Sequence, residues 1–201
     1  MVELKVNIVQ TSILLFRQLG IRNVSIDNVC SELRISKKTF YTCFGSKEDL
    51  VEAVILMETE TQMHRFQKAV KDKNAIETFI FTIKEIKRVH ENEPFLFWHD
   101  LQKYYPALYR KYDAIKTGIM RKGFEENIRQ GINEGFYREN LDVELLSFFH
   151  SVQMKSTFEI MMQSNEKFSS KRLMDFFIDL IIHLIANDKG LKFLEEHLEG
   201  R

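Results

Sequence analysis

Ser36-Lys37-Lys38-Thr39-Phe40-Tyr41-Thr42-Cys43-Phe44 is the stretch whose reading decides the fold. Wound as a helix at about 100° per residue, it has two unlike sides. Phe40 and Phe44 coincide at spacing i, i+4, with Cys43 beside them. Lys37, Lys38, Tyr41 and Thr42 take the opposite arc, and Thr39 lies on the boundary. A stub of helix that buries two phenylalanines and displays two lysines, a tyrosine and a threonine has little to hold it in isolation. It suits a reading head set into a nucleic-acid groove, its aromatic side held by a small helical core.

The flanks extend that reading. Ser25 is placed to cap a helix whose apolar positions are Ile26, Val29, Cys30 and Leu33, the i, i+3, i+4, i+7 pattern of one buried face. Arg34 and Ile35 make a corner, and Ser36 is placed to cap the next helix. Helix, short corner, helix is the helix-turn-helix arrangement. Gly45 is expected to end the reading helix, and Ser46-Lys47-Glu48-Asp49 resembles a capping box for the helix that follows. Lys47 then falls in a first helical turn, where backbone N–H groups and a lysine jointly hold a DNA phosphate. Upstream, Val6, Val9, Ile13 and Phe16 form the expected buried stripe of a first helix, with Gly20 as its stop.

Leu15-Phe16 with Gly20, Val24-Ser25-Ile26, Ser36 to Tyr41, and Phe44-Gly45-Ser46-Lys47-Glu48-Asp49-Leu50 together resemble the amino-terminal domain of the TetR family of transcriptional regulators. The spacing is kept over about fifty contiguous residues. Arg34 stands where a turn glycine is common in that family, and Lys38 where a glycine or alanine is common; both bear on which operator is read. The resemblance implies an all-α chain with a three-helix, helix-turn-helix DNA-binding domain at 1–46. That domain runs without a linker into a larger helical ligand-binding and dimerisation domain at 47–201. It implies DNA contacts from Ser25, Ser36, Lys37, Thr39 and Lys47 to the backbone, and from Lys38, Tyr41 and Thr42 to base edges or adjacent phosphates.

The composition fits. Across 201 residues, 44% are hydrophobic and 29% charged, ordinary for a globular chain, and only two prolines and eight glycines interrupt long periodic runs. The net charge is zero, yet residues 1–50 carry seven basic and five acidic side chains, leaving +2 there and −2 elsewhere. Residues 35–47 hold three lysines and no acid, a local positive field that a dimer would present twice. Two cysteines imply no disulfide framework. Cys30 occupies a core position and Cys43 lies by the aromatic side, so packing is the favoured role over a redox switch. No targeting segment is visible and the longest apolar run is too short to span a bilayer, so a cytoplasmic protein is the expectation.

Beyond the fourth helix, expected from Lys47 to about Lys71, the chain reads as further helices. Ile76, Phe79, Ile80, Ile83 and Val89 mark one, ended near Asn92 and Pro94; a short aromatic helix runs from Phe95 to Tyr105-Pro106; a long one passes Tyr112, Ile115, Ile119 and Phe124 and ends between Gly131 and Gly135. Residues 136–141 form a loop, and Asp142 caps the next helix. The last two long helices, over about 143–163 and 171–187, are apolar on more than one stripe. A helix apolar nearly all round is buried nearly all round, so these two invite a partner subunit and a four-helix homodimer interface.

With 17 phenylalanines and eight methionines, the chain is rich in soft and aromatic side chains. Many fall in this second region: Phe95, Phe97, Trp98, Tyr104, Tyr105, Tyr109, Met120, Phe124, Phe149, Met154, Phe158, Met161 and Met162. Packing accounts for most of them. Collectively they fit a pocket for an apolar or aromatic small molecule, lined by Trp98, Tyr105, Phe124 and Phe149 with polar atoms from His99, Gln102 or Gln153. The resemblance implies that such a ligand releases the operator. The alternative is a protein partner docked on the second domain in place of a small ligand.

Enzyme signatures are missing: no Gly-x-Gly-x-x-Gly, no Gly-x-Ser-x-Gly, no His-Glu-x-x-His. Gly118 to Gly123 has phosphate-loop spacing but continues into Phe124 in mid-helix. Asp179 and His183, at i, i+4, read as an ion pair before a metal site. No cofactor is implied.

Overall fold

The computed structural model describes residues 2–92, 95–162 and 167–198. Among them the chain forms ten helices: α1 (Val2–Leu19), α2 (Ile26–Leu33), α3 (Lys37–Tyr41), α4 (Lys47–Val70), α5 (Ala75–Asn92), α6 (Phe95–Tyr104), α7 (Pro106–Asn133), α8 (Val143–Met162), α9 (Ser170–Ile185) and α10 (Asp188–Leu198). The only β pairing described is an isolated bridge between Tyr137 and Ala186. The all-α class is as the sequence implies. The expected breaker Pro94, and the side chains of Val89, Phe95, Phe158, Met161 and Met162, lie outside the described residues.

Two compact units divide the chain: Met1–Ala69 with Glu91–Ala114, and Val70–His90 with Ile115–Arg201. The first is built on the helix-turn-helix. Ile8, Val9 and Phe16 from α1 bury against Val29 and Cys30 from α2, Phe40 and Phe44 around α3, and Leu50, Val51, Val54 and Ile55 from α4. Phe40 is wholly buried and tilts onto Phe44 with ring centroids 5.7 Å apart. Deleting such a ring costs about 3–5 kcal/mol, a large share of a small unit's stability.

The buried stripe of α1 is wider than its sequence pattern. Ile8 and Ser12 are fully buried, while Val6 and Ile13 are half-buried. The cause is distant in sequence: α1 packs on α6 as well as on α2, and Ser12 satisfies its hydroxyl by donating to the Ile8 carbonyl at 2.7 Å. The reading helix is shorter than expected. It ends at Tyr41, not at Gly45, because Thr42 and Cys43 turn out of it, although the Phe44 N–H still bonds the Phe40 carbonyl at 3.1 Å.

The second unit closes around Ala75, Ile76, Ile128, Tyr137, Ile181, Ile182 and Ile185. Its tightest point follows α7. Phe136 and Tyr137 both donate backbone N–H groups to the Gly131 carbonyl, Arg138 N–H bonds the Ile185 carbonyl, and Asn187 N–H bonds the Phe136 carbonyl. The Tyr137 ring then lies against Gly131, where a Cβ would run into it. Its hydroxyl donates to Asn127 at 3.1 Å, and Asn127 in turn donates to the Ala75 carbonyl at 2.8 Å. Asp142 caps α8 by accepting the Leu145 N–H at 3.1 Å, as expected. The short α10 was not legible in the sequence. No described helix is long and apolar enough to cross a membrane.

Candidate nucleic-acid interface

The face starts from its caps. Ser25 accepts the Asn28 N–H at 3.1 Å while the Asn28 side chain accepts the Ser25 N–H at 2.8 Å, a closed capping box that starts α2. Ser36 accepts the Thr39 N–H at 3.0 Å and starts α3. Ser46 accepts the Asp49 N–H at 3.1 Å and starts α4. Between the first two, Arg34 sits in the left-handed region at φ 53° and lets the chain turn.

The arc read as outward-facing is outward-facing. Lys37, Lys38, Tyr41 and Thr42 are exposed, Thr39 is half-buried, and Ser25 and Ser36 are exposed. Tyr41 is 53% exposed and meets Phe40 edge-on at 5.5 Å, so the buried ring sets the direction of the exposed one. The Thr42 hydroxyl donates to the Thr39 carbonyl at 2.6 Å, and the Ser36 and Thr39 hydroxyls bond each other at 2.8 Å. Lys37 pairs with Asp27 at 2.9 Å, the carboxylate holding its ammonium charged to higher pH than usual. Lys38 has no acidic partner among the described residues. Burial pushes the Cys30 thiol up, with Asp27 adding to it, the opposite of a reactive thiolate.

Lys47 is half-buried, and its ammonium donates to the Ile21 carbonyl at 2.6 Å. Burial lowers its pKa, and the nearby Asp100 carboxylate opposes that. Asp100, on α6, is 4% exposed and accepts the Arg22 backbone N–H at 2.9 Å. Gly20, at φ +79°, leaves room for it: a Cβ there would stand 2.8 Å from the Asp100 carboxylate. Arg22 also donates to the Tyr104 hydroxyl at 2.9 Å.

The residues read as ligand-lining fall in both units. In the first, Trp98 stacks on Tyr112 with centroids 5.5 Å apart and, with Ile13, Val54, Ile55 and Phe97, walls a small apolar cleft whose polar side is Arg17, Glu58 and Gln62. Tyr105 is half-buried against the same core, and His99 and Gln102 are exposed. In the second, Phe124 is buried and stacks on His150 at 3.7 Å, whereas Phe149 and Gln153 are exposed on α8. Asp179 and His183 form the expected pair, 3.2 Å apart and exposed, and no metal-holding cluster occurs among the described residues.

Residues 8–54, the segment that carries this whole face, match the family model described as bacterial regulatory proteins, tetR family. The match is to the amino-terminal segment of that family and covers 47 of the 201 residues. The matched segment contains the helix-turn-helix of α2 and α3. No curated protein matches the chain closely enough in sequence to count as a relative. Solved structures share the tetR-like fold. A transcriptional regulator from Saccharomonospora viridis in complex with choline superposes at TM-score 0.63 with 18% identity over 93% of this chain and 100% of that one. A transcriptional regulator from Cytophaga hutchinsonii reaches TM-score 0.74 at 15% identity over 90% and 97%. RolR in complex with resorcinol reaches 0.60 at 16% over 92% and 88%.

Two features of this site were not found from sequence. Asn28 completes the capping box in place of the usual Glu or Gln, and its spacing three residues after Ser25 was the available signal. Asp100 lies 78 residues from its partner Arg22, and nothing local marks it except that it is the one acid in α6.

Proposed function

We propose that the chain represses transcription as a homodimer on a palindromic operator and is released by an apolar or aromatic small molecule. Residues 1–46 read the DNA, and residues 47–201 take the ligand and the partner subunit. The observation that carries the reading is the two-sidedness of α3 and the turn after it: Phe40 and Phe44 are buried while Lys37, Lys38, Tyr41 and Thr42 are exposed on one arc. Ser25, Ser36, Thr39 and the first turn of α4 with Lys47 flank that arc and supply backbone contacts. One five-residue helix binds weakly; two, about 34–36 Å apart, engage successive major grooves. Apolar side chains left exposed on α8 (Leu145, Phe148, Phe149, Val152) and α9 (Phe176, Leu180, Leu184) support self-association.

Selection of bound sequences from random duplex DNA tests the reading, repeated with a metabolite library present. A palindromic consensus lost on addition of an apolar compound is the expected result. Tyr41→Ala should weaken operator binding at least tenfold while leaving helicity and dimerisation unchanged, since its side chain is exposed and holds nothing in place. Trp98 is the single tryptophan and lines the cleft, so a ligand entering there should change intrinsic fluorescence. A ligand that releases DNA without touching that signal would place its site elsewhere.

A further inference from the structure

Lys47 and Asp100 hold opposite ends of one peptide group. The Ile21 carbonyl accepts from the Lys47 ammonium at 2.6 Å, and the Arg22 N–H, the other end of the same planar unit, donates to Asp100 at 2.9 Å. A positive and a negative side chain, from α4 and α6, therefore bracket the α1–α2 turn along the dipole of a single amide. We propose that Asp100 is a positioning residue for DNA binding, acting through the Ile21–Arg22 peptide to hold Lys47 where it meets a phosphate. The inference rests on the DNA-binding role proposed for Lys47 and adds a residue that the sequence places far from the reading head.

The physical case begins with cost. A carboxylate that is 4% exposed loses most of its hydration, which is recovered only through hydrogen bonds and nearby positive charge. Asp100 has the Arg22 N–H on one oxygen and the His99 ring nitrogen 3.7 Å from the other, and the Lys47 charge lies across the amide. Each hydrogen bond polarises the amide in the direction that strengthens the other. Gly20 is part of the device, since any side chain there would fill the space the carboxylate occupies. Lys47 gives one of its three protons to the Ile21 carbonyl and keeps two for a phosphate. With the carboxylate neutralised, the amide holds the ammonium less firmly, and the lysine spends part of its time in other rotamers.

A double-mutant cycle on DNA binding tests this, with a random-sequence 24-base-pair duplex at low salt as the probe and the full-length chain as the protein. Lys47→Ala should weaken binding and reduce the salt slope by about one. Asp100→Asn keeps the shape and an acceptor for the Arg22 N–H, and should weaken binding about two- to fivefold. In the Lys47→Ala background the same change should do nothing more. Independent, additive losses would show that Asp100 acts only on stability and would overturn the proposal, as would unchanged binding by Asp100→Asn. A second measurement avoids the variants altogether. In the unaltered protein, adding the duplex should shift the NMR signals of the Lys47 ammonium and the Arg22 amide together, and a Lys47 shift with a stationary Arg22 amide would also overturn it. Failure of the unaltered protein to bind any duplex is a different result, which removes the DNA-binding reading itself and this inference with it.

Discussion

Arg34 shows how a single residue departs from what local preference asks. It occupies the left-handed region at φ 53°, where a side chain costs about 1–2 kcal/mol and glycine costs nothing sterically. Arg34→Gly should therefore stabilise the first unit by about 0.5–1 kcal/mol after the entropy that glycine adds to the unfolded chain. Urea unfolding measures this, and a destabilised variant would mean that the arginine side chain supplies something the turn needs. His150 is the complementary case. It is buried between Phe124 and Phe177, and its Nδ1 finds no hydrogen-bond partner among the described residues. Burial pushes its pKa from 6.5 down to about 4. Between those values the unfolded chain takes up a proton that the folded chain refuses, so stability present above about pH 6.5 drains away as the pH falls. The loss should reach about 3 kcal/mol near pH 4. His150→Leu should flatten that part of the pH profile, and an equally steep profile in the variant would assign the effect to other groups.

At the level of elements, the helices legible in the sequence are those whose caps and periodicity are local. Ser25, Ser36 and Asp142 cap as expected, and Pro106 opens α7 where its missing N–H goes unused. What misled was non-local. The α1 stripe broadened to Ile8 and Ser12 because α6 covers it, and the reading helix stopped at Tyr41 because Thr42 and Cys43 turn to bring Phe44 back into the core. The end of α7 was legible, falling at Asn133 between Gly131 and Gly135 as expected, but the reason for Gly131 was not, because the Tyr137 ring that packs on it comes from beyond the helix. Gly131→Ala should cost about 1–3 kcal/mol by overpacking despite the better helix propensity of alanine. Calorimetry decides the matter: a variant as stable as the parent would show that the ring can move aside.

At the scale of the molecule, a net charge of zero hides a local excess, and the same holds for hydrophobicity. In α9, Phe177, Ile181, Ile182 and Ile185 are buried within the unit, while Phe176, 67% exposed, Leu180 and Leu184 form a second stripe at i, i+4, i+8. The sequence placed Phe176, Phe177, Leu180, Ile181 and Leu184 together on one broad apolar face, and the structure splits that face, burying Phe177 and Ile181 and leaving Phe176, Leu180 and Leu184 exposed. Replacing Phe176 and Leu180 together by glutamate should convert the proposed dimer to monomer, seen by sedimentation at micromolar concentration, and reduce operator affinity by orders of magnitude while each subunit stays folded. A variant that remains dimeric would move the interface off this face.

The sequence by itself determined the helix-turn-helix, its aromatic backing and its outward arc. Each depends on residues within a few positions of one another, whose helical phase and capping groups are written locally. Only the tertiary structure decided that Asp100 meets the Arg22 amide, that Gly131 yields to Tyr137, and which apolar stripe of α9 stays exposed. Those contacts join residues tens of positions apart, and spacing along a chain says nothing about which distant helix will supply the other half of a contact.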